Sequence, residues 1–285
     1  MPHTIRSMVL VCALVAATAA VTGAQWLNYP APGVPRLPNG RVDLAAKAPR
    51  SADGSPDLSG VWVTELESPE EIARRSTTAA NALVVPGDDP RTFSRYFFNV
   101  LSDFTDADTP MRPPTIEFMR KQGERTAGNP SGFCLPHGLP QPDLMSYAPF
   151  KMIQTRGVIA VLYELDNTYR QIFIDGRPLP KDPQPTWVGY SVGTWEGDTL
   201  VVDATGFNDR TRLDVAGHPH SEALHVRERF HRRDFGHMDL TVTIEDPVWY
   251  TKPFTFKVTE LLTPDDDVLE TVCNENEKDR EHLRQ

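Results

Sequence analysis

Beyond residue 24 the chain has no stretch apolar enough to span a bilayer. Positive charge is in deficit. Against 39 Asp and Glu stand 29 Lys and Arg, a net charge of −10 that argues against a nucleic-acid surface. There is no Gly-x-Ser-x-Gly, no glycine-rich phosphate loop and no dinucleotide fingerprint. The common hydrolase elbow and nucleotide chemistry are therefore not indicated, and no cofactor is expected. No internal repeat is visible. Cysteine is scarce, with three in 285 residues. Long helices are disfavoured by 26 prolines, which suit ordered loops.

At the N-terminus Arg6 precedes an apolar run over residues 8–21, too short for an ordinary membrane span. Small residues at Thr22, Gly23 and Ala24 complete the pattern of an export signal cut after residue 24; an uncleaved anchor is the alternative. A periplasmic or secreted, membrane-free protein is expected. Only Cys134 and Cys273 would survive cleavage, and an oxidising compartment favours a disulfide between them over two separate thiols. The remaining chain is long enough for a substantial core, so no metal is needed merely to fold.

Residues 25–57, rich in Pro, Gly and Ala, read as an extended arm over the domain or a partly disordered linker. A first strand starts at Gly60-Val61-Trp62. Ser68-Pro69-Glu70-Glu71 signals a helix that fades near Asn81. Residues 93–101 are ambiguous between helix and strand, and 115–122 suggest a second helix. From Phe150 onward strands and turns alternate: 150–155, 158–164, 168–174, 188–196, 199–205, 225–232, 237–245, 254–262 and 268–273. Gly197-Asp198 gives a strong hairpin signal. Met238, Leu240, Val242 and Ile244 alternate with polar residues, the mark of a half-buried antiparallel strand. The expectation is a mostly β chain forming one antiparallel barrel over residues 58–276. It carries an insert of loops and helices at 67–149 and a charged tail at 277–285.

Gly60-Val61-Trp62 followed by successive hairpins resembles the lipocalin and calycin pattern. Further stretches resemble those of a family of secreted bacterial proteins. They are Asp57-Leu58-Ser59-Gly60-Val61-Trp62, Pro185-Thr186-Trp187, Thr194-Trp195-Glu196-Gly197-Asp198-Thr199-Leu200-Val201-Val202-Asp203, Gly206-Phe207-Asn208-Asp209 and His220-Ser221-Glu222-Ala223-Leu224-His225. The resemblance spans most of residues 57–276. It implies a calycin-like barrel and export, and brings no particular activity. The insert departs from the usual lipocalin strand order.

Residues 218–232 concentrate the polar signals, holding four of the eight histidines. In the strand at their end, Leu224, Val226, Glu228 and Phe230 share one face. A carboxylate on an apolar face is either paired or functional. Burial would tune Glu228 toward general acid–base work, and Arg170, on a face with Ile172 and Ile174, is its candidate partner. A purely structural ion pair is the competing reading. His220, with Asp203 or Asp209, would assist, and Tyr169 or Arg170 would polarise a substrate oxygen. Trp62, Trp187, Tyr190, Trp195, Asn208 and Phe230 are candidate ligand contacts, although aromatics in β proteins are more often core. No metal is expected; the alternative is a site at His218, His220, Glu222 and His225. The expected function is acid–base chemistry on a small, partly apolar molecule by a lyase, isomerase or hydrolase. The alternatives are a carrier of a hydrophobic ligand and a metal-dependent hydrolase.

Overall fold

Two-residue alternation directs the sheet. In β8 (His237–Glu245) Met238, Leu240, Val242 and Ile244 are fully buried while their neighbours stay partly exposed. The computed structural model describes residues 30–66, 94–123 and 134–273. The other strands are β1 (Gly60–Thr64), β2 (Phe150–Gln154), β3 (Val158–Tyr163), β4 (Tyr169–Phe173), β5 (Tyr190–Glu196), β6 (Thr199–Thr205), β7 (His225–Arg232) and β9 (Phe254–Leu262). They close in sequence order into one nine-strand barrel, with β9 pairing back onto β1 through Trp62 and Leu262.

The sheet is not antiparallel throughout. β4 and β5 run parallel over two residue pairs, Ile172 with Ser191 and Phe173 with Val192. Residues 174–189 join them and contain Pro178, Pro180, Pro183 and Pro185. That stretch travels too far for a hairpin, so the chain re-enters the sheet in its original direction. The expected last strand at 268–273 is also absent: the segment is irregular. Side-chain contacts fix it instead. The Asn167 side-chain amide donates to the Thr271 carbonyl and accepts from the Thr271 amide, Glu164 accepts from the Leu269 amide, and the expected Cys134–Cys273 disulfide is formed.

Within the insert, residues 95–98 resolve as a short helix, α1 (Arg95–Phe98), and the expected second helix is α2 (Pro113–Gly123). The helix expected from Ser68, the export signal and the tail lie outside the described residues. The arm at 30–57 is laid over the barrel. Ala46 and Leu44 accept from the Phe235 and Gly236 amides, and Arg50 pairs with Asp198. Arg232 secures one end of the barrel: its guanidinium lies 4.9 Å from the Trp62 ring and donates to the carbonyls of Asp57 and Phe235. A 3-10 turn, Gln141–Leu144, covers the end where β1 and β3 finish. All four of its residues are buried, and the Met145 carbonyl accepts from the Thr64 amide.

Candidate functional site

The structure separates the expected site residues into three places. The first is the barrel interior. Glu228 sits on β7 between Val202 and Val242, on the inward face as its strand alternation requires. It is completely buried, and Arg170 is 1% exposed. Arg170 reaches in from β4. It donates from Nη1 to Glu228 Oε1 at 3.1 Å, from Nη2 to Oε2, and from Nε to Ser191 Oγ at 2.9 Å. The expected partnership therefore exists, in the bidentate form that suits a guanidinium and a carboxylate. Trp62 and Phe230, expected as ligand contacts, are core residues, and Trp195 packs partly buried against that core.

Sequence reasoning missed two further acids in this interior. Asp143 lies on the 3-10 turn; its Oδ1 accepts from the Tyr163 hydroxyl at 2.8 Å, and its Oδ2 stands 3.6 Å from Arg170. Glu260 on β9 accepts from Thr64 at 3.3 Å. Burial, then the charge of Glu228, pushes the Asp143 carboxyl up to about 8. Burial, then Asp143, pushes Glu260 well above the usual carboxylate range. No periodicity flags Asp143 in its proline-rich loop. Glu260 carried a usable signal: it shares its strand face with Phe254, Phe256 and Leu262, the same criterion that singled out Glu228.

The second place is an outer groove of about 430 Å³ at the parallel seam. After two paired residues β4 and β5 diverge, and the opening is lined by Tyr169, Arg170, Gln171, Phe173, Trp187, Val188 and Tyr190. Tyr169 points outward and is 65% exposed, whereas Arg170, the next residue, points inward and forms the floor. Tyr190 stacks on Phe173 with ring centres 5.2 Å apart. Arg177 lies 3.9 Å over the Phe173 ring, donates to the Tyr190 hydroxyl at 3.2 Å, and is neutralised by Asp175 through three bonds. Gly189 makes the turn into β5. Its φ is +68°, and a Cβ there would fall 2.8 Å from the Thr205 carbonyl. Thr186 then bonds Gly206 and Asn208, which carries the wall away from β4. Three of the expected residues, Tyr169, Trp187 and Tyr190, thus meet in one groove with Arg170.

The third place is the histidine-rich loop, and it does not converge on either of the others. His218 Nδ1 lies 2.6 Å from Asp214, which also accepts the Val100, Gly217 and His218 amides. His220 is buried against Thr211, 2.5 Å from Nε2, and burial lowers its pKa. His225 faces outward with Asp203, which Arg227 also engages. Partial burial pushes the Asp203 carboxyl up, but the bonds from Arg227 and the nearby His225 outweigh it, and the net shift is downward. Glu222 and Asp209 are exposed, and Asn208 caps its own turn by accepting from the Arg210 amide at 3.1 Å. The alternative metal site is thereby corrected. Each imidazole has its own partner, and no group of three or more His, Cys, Asp or Glu able to hold a metal ion occurs among the described residues. Nor do His220, Asp203 and Asp209 gather around Glu228.

Comparison with family models, curated proteins and solved structures gives no match.

Proposed function

We propose that the chain is an exported, calycin-like barrel protein that binds a small, flat, largely apolar and uncharged molecule in the outer groove between β4 and β5. The observation that carries this reading is the meeting of Tyr169, Phe173, Trp187 and Tyr190 around one open space of about 430 Å³. That size falls in the ordinary range for small-molecule sites, and rigid aromatic walls suit a planar ligand. Both guanidiniums near the groove are already neutralised, Arg170 by Glu228 and Arg177 by Asp175. An uncharged ligand is therefore favoured, and Gln171 and the tyrosine hydroxyls offer it hydrogen bonds. Export is supported by the apolar N-terminal run and by a disulfide, which persists best in an oxidising compartment.

Acid–base catalysis is the second reading. Its support is that Arg170 belongs both to the groove floor and to the Glu228 pair. Against it, neither a carboxylate nor an imidazole lines the groove.

The neutral planar probe N-phenyl-naphthylamine tests the binding reading. We expect saturable fluorescence enhancement, weakened at least about tenfold by Trp187→Ala or Tyr169→Ala. Such a loss corresponds to about 1.4 kcal/mol. Probe affinity unchanged in both variants, each shown to be folded, would remove the groove as the site.

A further inference from the structure

Asp143, Glu228 and Glu260 place three carboxyl groups inside the barrel, Asp143 and Glu228 beside Arg170 and Glu260 beside Thr64. Arg170 satisfies Glu228 through both oxygens. Asp143 Oδ2 and Glu260 Oε2 are buried with no hydrogen-bond partner. One guanidinium cannot offset three buried negative charges, and an unpaired ionised carboxylate in a dry interior is very costly. Among the described residues, the other charged or titratable groups facing this space are few. Tyr163 on β3 donates to Asp143, and β1 contributes only the Thr64 hydroxyl. Arg95 and Tyr96, on the α1 helix packed against the turn, pair with Asp103. Arg212, whose carbonyl holds Gln141, has its charge facing Asp209.

We propose that Asp143 and Glu260 are stored as neutral acids in the folded barrel, and that their ionisation at alkaline pH releases the Gln141–Leu144 turn from the barrel end. The turn is the element that yields because it is short and irregular. It is tied to β1 by two bonds, Thr64 Oγ1 to the Asp143 carbonyl and the Thr64 amide to the Met145 carbonyl. Glu228 and Arg170 instead stand on strands paired along their length on at least one side. The direction of the effect follows from proton linkage. Unfolded Asp and Glu lose their protons near pH 4, whereas Asp143 keeps its own up to about 8. Between those values the folded state binds more protons, so stability falls as pH rises. Each stored proton lowers the folding equilibrium constant about tenfold per pH unit.

Urea unfolding from pH 6.5 to 8 is the first test. Wild type should lose stability across this range, and Asp143→Asn should remove about one factor of ten per pH unit from that dependence. Asn keeps an acceptor for Tyr163. Should that variant fail to fold, infrared spectroscopy of the wild type gives the answer: a protonated carboxylic acid band at pH 7 that weakens above pH 8 as Asp143 ionises. Hydrogen exchange resolves the turn. After correction for intrinsic rate, the amides of Gln141, Asp143, Leu144 and Met145 should open above pH 8 ahead of the strands. A flat pH dependence in wild type, an unchanged one in Asp143→Asn, or no acid band at pH 7 overturns the stored protons. Exchange rising equally in turn and strands overturns the release of the turn.

Discussion

Replacing Glu228 by Gln removes the charge that Arg170 has been positioned to meet. Both partners are essentially inaccessible to water, at 0% and 1% exposure. Gln can still accept one hydrogen bond from Arg170 but leaves the guanidinium without its bidentate counter-ion. Breaking a buried pair from one side costs about 3–5 kcal/mol. Asp143, with Oδ2 only 3.6 Å from Arg170, can lose its proton and take over part of the charge, which favours the lower end, about 3 kcal/mol. For a domain of this size that corresponds to a fall in melting temperature of about 6–12 °C. Chemical denaturation at pH 7 measures the loss directly. The companion variant Arg170→Met and the double variant complete a thermodynamic cycle. The double variant should be less destabilised than the sum of the two singles, because it leaves neither charge orphaned. A Glu228→Gln loss below about 1 kcal/mol, or strictly additive losses, would refute the pairing argument. The same variant addresses catalysis. If the second reading holds, turnover of a substrate disappears while probe binding in the groove persists.

Removing the disulfide with Cys134→Ala and Cys273→Ala should lower stability by about 2–5 kcal/mol, since the bond closes a separation of 139 residues. Alkylation without reductant should leave both cysteines unlabelled in wild type. His220 is held neutral by burial, so its contribution is present above about pH 6.5 and is lost as pH falls below that value. Between pH 5 and 6.5 this term opposes the loss caused by the buried acids, so His220→Gln should lose stability more steeply than wild type as pH rises through that window in urea unfolding, and equal slopes would contradict this.

Much of the barrel is legible in the sequence because strand alternation is a local property. Four strands, β6 to β9, start and stop where the sequence pattern of strands and turns places them. Alternation also sets Glu228 and Arg170 inward and Tyr169 outward. What alternation cannot convey is direction and partnership across the sheet. The proline-rich stretch 174–189 announces a loop, but whether the chain re-enters parallel or antiparallel depends on where that loop ends in space. The groove exists because of that choice, so its residues were recognisable as aromatics but not as neighbours. The histidine loop misleads for a related reason. Close spacing of His218, His220, Glu222 and His225 suggests convergence, yet each imidazole turns to a residue nearer in space, namely Asp214, Thr211 and Asp203. Asp143 was invisible because its position depends on tertiary packing of an irregular turn.

We propose that the ligand lies outside the barrel, at the parallel seam, and not within the lumen. Backbone amide chemical-shift mapping with N-phenyl-naphthylamine tests it most directly. Shifts should concentrate at residues 167–171 and 186–190, with lumen-facing Val202, Phe230 and Val242 unmoved. Shifts centred on those three lumen residues, with the seam silent, would contradict it.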